Sequence, residues 1–359
     1  MNRDKRRFII LLIALVYSLV LFGLLMNFSI GPAEYESAPF SLFFKQLFNV
    51  GVGTVALIFF SFFNHKHLMK VSKILLILLI FSLIIVDGSL SRRWIYLGNI
   101  PFALQPSQYA PIILTIFIAR IFSYPINDKS SKKLYLIIFG IIIFLTVLIS
   151  LEPDFGSGII AFGSSMFLLF LTGISISEFL SFLSFSLLGG ALFLTINNEW
   201  MNRIRAFFHP YLYSTSDALQ SLQAFRALAR GGIAGVGFMR SVLKFPGHLP
   251  ERSSDFIFAI IGEETGLIGC SVLIAIFLII SYIGLRIARG SQSTFSRLVA
   301  AGIVIDILLW AILNMLVNVG LMPVTGIPLS FVSFGGNNML ANFIGVGILI
   351  NIIRKEVAW

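Results

Sequence analysis

The fold class that the sequence predicts is an all-α polytopic membrane protein with ten transmembrane helices, and three observations carry this prediction. Of the 359 residues, 57% are hydrophobic and 12% are charged, whereas soluble domains average roughly 45–50% apolar and about 25% charged residues. Phenylalanine alone accounts for 37 residues, as expected of helices that face lipid. Ten apolar segments meet or approach the ~20 residues that a helix needs to cross a bilayer. These observations exclude a soluble enzyme.

Short polar connections and one long connection separate the ten segments. The first segment follows a basic N-terminus, but its apolar run is too long for a signal peptide and no small-residue cleavage motif follows it. We therefore expect it to be a membrane span. The segments occupy residues 8–27, 39–63, 71–88, 107–124, 134–151, 157–175, 178–196, 254–287, 296–319 and 332–353.

Membrane topology follows from the distribution of Lys and Arg. The N-terminus, the second, fourth and eighth connections and the C-terminus are basic, and they fall on one side of a ten-span arrangement. Because cytoplasmic connections are enriched in Lys and Arg, both termini are predicted to be cytoplasmic. This alternation with spans indicates topology and no nucleic-acid partner. Residues 1–359 then form a single domain, with a large extracytoplasmic loop at about 197–253, between helices 7 and 8.

The long loop is basic although it is predicted to face outward. Long connections cross the membrane regardless of their charge, so the predicted topology stands. Together with Arg92 and Arg93 in an earlier outward connection, the loop cations indicate either an anionic partner or anchoring to anionic lipid. The loop cations are Arg203, Arg205, Arg226, Arg230, Arg240, Lys244 and Arg252.

Four charged residues fall inside predicted spans, where a charge is costly unless it is used or paired. They are Lys45, Glu263, Glu264 and Asp306. Lys45 lies near the outer end of the second span, where its ammonium group can snorkel to the interface. Glu263 and Glu264 lie about 12–14 Å deeper along a helix than Asp255, and they point in different directions. We therefore expect both glutamates to be structural and bonded to neighbouring spans.

Asp255 lies at the start of the eighth predicted span, directly after a polar stretch that contains Pro and Gly. We expect Ser253 or Ser254 to cap the helix, and an acid in the first turn is stabilised by the helix dipole. Two interpretations are open on these residues alone. Asp255 is either a helix-start acid without chemistry or a general base whose pKa rises as water is excluded.

Three other outward stretches are rich in polar residues, Pro and Gly: residues 91–108, 151–158 and 318–338. Irregular backbone at membrane depth is tolerated only where protein buries it or where it lines a watery cavity. We therefore expect a cavity on the outer face, walled by these stretches and by the start of the eighth span.

These stretches contain motifs in a recognisable order. RRWIYLG and QPSQ are followed by EPDFGSG, by RIRAFFHP with Gln220 and Ser221 after it, and by ARGGIAGVG. LPERSSDFIFAIIGEETG and MPVTGIPLSFVSFGG are close to the family strings LPExxTDFIFAxxGEExG and LPVTGxPLPFxSYGG. Over about 92–347 the sequence therefore resembles the SEDS family (shape, elongation, division and sporulation), the RodA/FtsW/SpoVE group of membrane-embedded peptidoglycan glycosyltransferases.

The resemblance implies a reaction and a set of site residues. The reaction is polymerisation of lipid II, an undecaprenyl-diphosphate-linked disaccharide-pentapeptide, on the outer face of the bacterial cytoplasmic membrane. Asp255 matches the family's essential acid and would be the general base on the acceptor hydroxyl, while basic residues or a divalent cation, Mg²⁺ or Mn²⁺, stabilise the leaving diphosphate. No organic cofactor is expected. The residues expected to contact substrate are Arg93, Arg203, Arg205, Gln105, Ser107, Asp154, Gln220, Ser221, Glu251, Thr325 and Ser333.

The sequence departs from the family pattern at several positions, and two of these departures affect one possible ion pair. Gln108 stands where the QPSE motif has its acid, and Pro111 stands where a lysine is usual three positions later. Together they remove a potential ion pair, so any role of that pair is in doubt for this chain. Arg203 aligns better than Arg205 with the family's loop arginine, and it is the preferred candidate of the two.

The family also implies partners and a cellular role. A class B penicillin-binding protein, a single-span transpeptidase, and the cell-wall elongation machinery are the expected partners. An elongation (RodA-like) role is preferred to a division (FtsW-like) role because the chain is compact. An outer cavity and buried acids also suit a lipid II flippase, although the sequence has no inverted repeat. A scaffold that only docks a partner would leave Asp255 without a task.

Overall fold

The computed structural model describes residues 3–35, 37–87, 93–96, 103–124, 128–152, 154–210 and 216–357. Across these ranges the chain is predominantly helical. Two short strands, β1 (Ile95–Tyr96) and β2 (Ala103–Leu104), pair antiparallel. Arg92, which was predicted to act together with Arg93, lies outside the described residues.

Most of the helices coincide with long apolar runs of the sequence, and polar side chains begin several of them. Asp154, Ser175, Asn197 and Ser293 each accept a hydrogen bond from a backbone N–H of the following turn, which satisfies a donor that the helix leaves open. A 3₁₀ turn, Pro106–Tyr109, leads directly into α4. The helices are α1 (Arg3–Glu34), α2 (Ser41–Phe62), α3 (His65–Asp87), α4 (Ala110–Phe122), α5 (Asp128–Leu151), α6 (Phe155–Leu171), α7 (Ile176–Ile196), α8 (Asn198–Phe208), α9 (Ser216–Gly231), α10 (Ile257–Gly290), α11 (Thr294–Asn318) and α12 (Gly336–Lys355).

Each of the ten predicted segments overlaps one of these helices. Within the described part of the chain, eight helices are long and apolar enough to cross a membrane. Two shorter apolar helices, Pro106–Phe122 and Phe155–Leu171, correspond to the fourth and sixth segments. An all-α fold with helices of membrane-spanning length is therefore confirmed, while the count of ten spans stays a prediction.

The centre of the fold is formed by α11 and α12, which bury most of their side chains. Helix α12 packs along α2, and α11 packs against α4, α6 and α10. By contrast, α7 has no buried side chain and is attached through stacked rings, such as Phe139 on Phe182 with centroids 4.2 Å apart. The apolar outer faces are those that lipid would cover.

The connection between α7 and α10 contains two helices, α8 and α9, where the sequence predicts only a loop. Directly after α9, the chain inserts into a kink of α10 at Gly266, whose φ is +67°. The carbonyls of Glu263 and Glu264 accept hydrogen bonds from the N–H groups of Val236 and Gly237 (2.9 and 3.0 Å). In a straight helix those carbonyls would bond to the N–H groups four residues later. The loop therefore completes the hydrogen bonding of α10.

We predict that the contact between α2 and α12 limits side-chain size at Gly53. A Cβ there would lie 2.3 Å from Cδ2 of Phe343, and overpacking of this kind costs about 1–3 kcal/mol, so Gly53→Ala should lower the thermal unfolding temperature in detergent. Gly51, on the same helix, has no atom within 4 Å of such a Cβ. Gly51→Ala should therefore stabilise by up to about 1 kcal/mol through helix propensity. Equal unfolding temperatures for the two variants would contradict the packing.

Candidate active site

A polar cavity of about 500 Å³ is present where three stretches rich in Pro, Gly and polar residues, 91–108, 151–158 and 318–338, meet the turn before α10. Gln105 comes from the first stretch, Asp154 from the second and Thr325 from the third, and Asp255 lies in the turn before α10. The complete lining is Arg93, Trp94, Gln105, Gln108, Asp154, Arg203, Gln220, Glu251, Ser254, Asp255, Val324, Thr325, Gly326, Pro328, Phe334, Gly335, Gly336, Asn337 and Asn338.

Asp255 lies in a turn before α10 and not in the first turn of that helix. The N-cap residue is Phe256, and no side chain caps the helix, so the expected capping by Ser253 or Ser254 is wrong. Instead, the carbonyl of Glu251 accepts hydrogen bonds from the N–H groups of Ser254, Asp255 and Phe256 (3.2, 3.0 and 3.1 Å). This tight turn replaces the first turn of helix that the sequence predicted.

Two asparagines of α11 hold the backbone of Asp255 in place. The side-chain amides of Asn314 and Asn318 donate to the Asp255 carbonyl at 2.8 and 2.9 Å, and Asn318 Oδ1 accepts a hydrogen bond from the Ala259 N–H at 3.0 Å. Neither asparagine was predicted as a site residue. The available signal was their i, i+4 spacing in an apolar helix, which places both on one face.

Asp255 is a half-buried residue that lines the cavity, and no hydrogen bond to another described residue influences its pKa. Burial raises the pKa of Asp255 from 3.8 to about 7, and the negative charges of Glu251 and Asp154 add to this rise. The positive charges of Arg93 and Arg203 act in the opposite direction. A carboxyl group with a pKa near neutrality is suited to accept a proton at physiological pH.

Asp154 is a helix cap and also the centre of a polar network. Its Oδ1 accepts a hydrogen bond from the Ser157 N–H at 3.3 Å. Its Oδ2 accepts from Gln105 Nε2 at 2.8 Å and from Ser107 Oγ at 2.6 Å. Gln105 and Asp154 line the cavity, whereas Ser107 is fully buried beneath it. The network holds the Asp154 side chain on the same cavity as Asp255.

The departure at Gln108 is accommodated by neutral hydrogen bonds. Gln108 Nε2 donates to Ser157 Oγ at 3.2 Å, and Gln108 Oε1 accepts from Asn338 Nδ2 at 3.3 Å. Pro111 lies at the beginning of α4, where a proline is compatible with the helix. The position therefore connects α6 and α12 without the ion pair of the family pattern.

Arg93 and Arg203 line the cavity, but Arg205 does not. Arg203 Nη2 donates to Glu199 Oε1 at 3.2 Å, and Nη1 donates to the Val324 carbonyl at 3.1 Å. Arg205 is exposed at the end of α8. Of the two loop arginines, Arg203 alone lies where it can meet a ligand in the cavity.

Three of the remaining loop cations are paired with acids. Because each such pair cancels one positive charge, the number of Lys and Arg residues in the loop overestimates its attraction for an anionic partner. The pairs are Arg230 with Glu263 at 3.0 Å, Lys244 with Glu264 at 3.3 Å, and Arg252 with Glu34 at 3.7 Å.

Glu263 and Glu264 are fully buried and do not line the cavity. Glu263 accepts a hydrogen bond from Ser241 Oγ. Glu264 accepts one from Ser29 Oγ of α1 at 2.7 Å. Most of their partners belong to the loop and not to neighbouring spans. The helical angle expected between Asp255 and the glutamates does not apply, because Asp255 lies outside the helix.

The other predicted contact residues divide into two groups. Ser221 in α9 and Ser333 do not line the cavity. Ser333 Oγ donates to the Ser254 carbonyl at 2.5 Å, so this serine holds the turn that carries Asp255. The residues that do line the cavity are Gln220, Glu251 and Thr325.

A second groove, of about 510 Å³, adjoins the cavity and shares Trp94, Phe334, Gly336 and Asn337 with it. Its other wall comes from α2, whose exposed phenylalanines face outward from the fold. Lys45 lies on this groove, with Nζ 5.1 Å from the centroid of the Tyr35 ring. The cavity is therefore continuous with an apolar surface of the helix bundle.

Asp306 lies apart from the cavity, buried within α11. Thr115 Oγ1 donates to Asp306 Oδ2 at 3.4 Å. The space beside it is only about 20 Å³, which is room for about one water molecule. Asp306 is therefore not a second ligand-binding acid.

The metal prediction can be compared with the ligands that the protein offers. Among the described residues, no group of three or more His, Cys, Asp or Glu side chains has the arrangement of a metal site. Mg²⁺ is often bound by one or two carboxylates together with substrate phosphates. Within the described ranges, the side chains alone do not form a complete site for a divalent cation.

The fold and the cavity define a class of protein: a membrane-embedded helical bundle that presents an acid and two arginines to a ligand. The chain belongs to the FtsW/RodA/SpoVE family, described as cell cycle protein, which it matches over residues 8–357. The family predicted from the motifs is thereby confirmed.

Relatives and solved structures extend this assignment over almost the whole chain. Stage V sporulation protein E of Bacillus subtilis is 31% identical over 96% of both chains. Peptidoglycan glycosyltransferase MrdB of Escherichia coli is 28% identical over 97% of this chain and 93% of its own. The rod shape determining protein RodA of Thermus thermophilus has the same fold, with a TM-score of 0.70, 20% identity and 96% of both chains covered. The enzyme class predicted from the sequence is confirmed by the relative named peptidoglycan glycosyltransferase MrdB.

We predict that Asp255→Asn stabilises the protein, most strongly at high pH. The folded-state pKa is raised from 3.8 to about 7, so ionised Asp255 costs stability increasingly between these values and by a constant amount above them. The full difference is at most about 4 kcal/mol. Thermal unfolding in detergent should therefore show a larger gain for Asp255→Asn at pH 8 than at pH 5. Asp4→Asn, at an exposed acid of α1, is the control. A gain independent of pH would contradict the raised pKa.

Proposed function

We propose that this chain is a peptidoglycan glycosyltransferase that polymerises lipid II, with Asp255 as the general base. The observation that carries the proposal is that Asp255 lines a polar cavity together with Arg93 and Arg203. The raised pKa of Asp255, about 7, is consistent with this role. Relatives named peptidoglycan glycosyltransferase MrdB and probable peptidoglycan glycosyltransferase FtsW support the reaction class.

The proposed chemistry is a single displacement. Asp255 takes the proton of the acceptor sugar hydroxyl as its oxygen forms a bond to the anomeric carbon of the donor. The bond between that carbon and the diphosphate oxygen breaks, and the electron pair leaves with the lipid diphosphate. Arg93 and Arg203 stabilise the negative charge that develops there. Inversion at the anomeric carbon follows, because no protein nucleophile takes part.

The membrane arrangement fits a lipid-linked substrate. The groove beside the cavity carries exposed phenylalanines from α2, so a polyprenyl chain can remain in the bilayer while its sugars reach Asp255. In the proposed topology the ten apolar helices span the bacterial cytoplasmic membrane, both termini are cytoplasmic, and the cavity opens on the outer face. A Mg²⁺ or Mn²⁺ ion bound partly by the substrate diphosphate stays part of this proposal.

A transpeptidase partner is also proposed. One solved structure of the same fold, with a TM-score of 0.77 and 22% identity, comes from work on structural coordination of polymerisation and crosslinking by a peptidoglycan synthase complex. By analogy, a class B penicillin-binding protein would crosslink the strands that this chain makes. A RodA-like role in elongation is preferred, and depletion should then give rounded cells, whereas filaments would indicate an FtsW-like role in division.

We predict that Asp255→Asn abolishes polymerisation. Loss of a general base typically lowers the rate by about 10²–10⁴-fold. The purified protein and its partner, supplied with lipid II and Mg²⁺, should make glycan chains visible on a gel, and Asp255→Asn should not. The exposed acid variant Asp4→Asn should retain wild-type activity.

Two outcomes would reject the proposal. If Asp255→Asn lengthened glycan chains as well as the wild-type protein does, Asp255 would not be the general base. Movement of lipid II across vesicles without any lengthening, by the wild-type protein, would favour the flippase.

We predict that the rate depends on the ionisation of Asp255. Because a base must be deprotonated, kcat/KM should rise as the pH increases toward about 7 and level off above it. The charge of Glu251 raises the pKa of Asp255 and that of Arg203 lowers it. Glu251→Gln should therefore move the inflection to lower pH, and Arg203→Gln should move it to higher pH in addition to slowing the reaction. The same inflection in all three proteins would assign the titration to another group.

A further inference from the structure

A second charged cavity lies at the opposite end of the helices from Asp255. Its volume is about 530 Å³, and it is formed by the start of α3, the end of α4 and the start of α11. Lys66, Lys70 and Arg120 line it, together with apolar and aromatic side chains that include Met69 and Phe295. The active-site proposal gives this cavity no task.

The cavity has a net positive charge. Lys66 is paired with Glu356 at 2.7 Å, so its charge is compensated. Arg120 contacts only neutral oxygens, with Nη1 3.3 Å from Ser72 Oγ, and Lys70 is exposed. Among the described lining residues, two cations are therefore left without a compensating acid.

The first turn of α11 adds to the attraction for an anion. Ser293 caps this helix, and both Ser293 and Thr294 line the cavity. Backbone N–H groups at a helix N-terminus, together with the helix dipole, favour a phosphate or carboxylate. Two cations and a helix start thus meet in one place.

An apolar groove of about 380 Å³ lies further along α3 and α4 and extends to Ile95, Leu104 and Pro106, at the end of the helices where the active-site cavity lies. Its other end, toward the charged cavity, is at Leu75 of α3 and Ile113 of α4. Ile113 lines the groove and Arg120 lines the charged cavity. These residues are seven positions apart, so they lie on the same face of α4, about 10 Å apart along its axis. That distance is within the reach of one acyl chain in a leaflet about 15 Å thick.

From this arrangement we infer a binding site for an anionic phospholipid. The phosphate lies against Lys70, Arg120 and the start of α11, and one acyl chain follows the seam between α3 and α4. Basic pockets between membrane helices on the cytoplasmic side are typical of anionic lipid sites. The side of the membrane rests on the topology proposed above, but lipid binding itself is measured without the transferase reaction.

The experiment is native mass spectrometry of the full chain after delipidation, with phosphatidylglycerol or phosphatidylcholine added back in detergent. The wild-type protein should retain one phosphatidylglycerol and no phosphatidylcholine. Lys70→Gln should weaken retention about five-fold, and the Lys70→Gln/Arg120→Gln pair about 25-fold, since a Lys or Arg near an anionic surface contributes about 1 kcal/mol. Lys73→Gln is the matched control, because Lys73 is an exposed lysine of the same helix that does not line the cavity.

Other outcomes would overturn the assignment. Equal retention of phosphatidylglycerol by the wild-type protein and the double variant would place the lipid elsewhere. Lys70→Arg keeps the positive charge and should therefore bind phosphatidylglycerol as the wild-type protein does. Loss of binding in Lys70→Arg would contradict a charge effect. Glycerol phosphate that competes as well as phosphatidylglycerol would show a site for free phosphate. Undecaprenyl phosphate that binds where phosphatidylglycerol does not would show a site for the lipid carrier. Circular dichroism of each variant checks that the helices remain folded.

Discussion

The structure depends on how three acidic residues of one short stretch are held: two by hydrogen bonds to their carboxylates and one by its backbone. Glu263 and Glu264 lie in a buried part of α10, where an unpaired charge is costly, and serine, arginine, lysine and backbone donors bond to them. Asp255, a few residues earlier, is held through its backbone carbonyl. The bonded acids keep the loop attached to α10, and the third acid is left to face the cavity. One stretch therefore builds the wall and supplies the reactive group.

The kink in α10 makes this arrangement possible. With Gly266 in a left-handed conformation, the helix opens its hydrogen bonding and the chain after α9 inserts there. Gly231 must be small at this contact, because a Cβ would lie 1.9 Å from the Gly262 carbonyl oxygen. Helix α9, which carries Gln220 to the cavity, is thereby fixed to the helix that follows Asp255. The loop is a part of the helix bundle and not a separate cover.

The sequence predicts the helices well because apolar length is a local property of the chain, and each of the ten segments overlaps one helix. It fails at Asp255 because that turn depends on distant atoms: the Ser253 carbonyl accepts a hydrogen bond from the Phe334 N–H at 2.8 Å. The sequence also overestimates how many loop cations are available to a ligand, because composition counts charges without their partners. Arg230, for example, is paired with Glu263. The roles of Asn314 and Asn318 could not be predicted either, because these side chains donate to the backbone carbonyl of a distant residue, Asp255.

The charges around Asp255 solve a conflict within the proposed reaction. Arginines that stabilise a leaving diphosphate also favour the ionised carboxylate, and by themselves they would lower the pKa of Asp255 and weaken it as a base. Burial, Glu251 and Asp154 act against that effect, and the resulting pKa is about 7. Gln105 and Ser107 hold the Asp154 carboxylate in place by donating hydrogen bonds to it. Arginines alone would serve to bind an anion, whereas the acids beside Asp255 add a group that can accept a proton near neutral pH. The arrangement of charge therefore suits the general base of the proposed transfer.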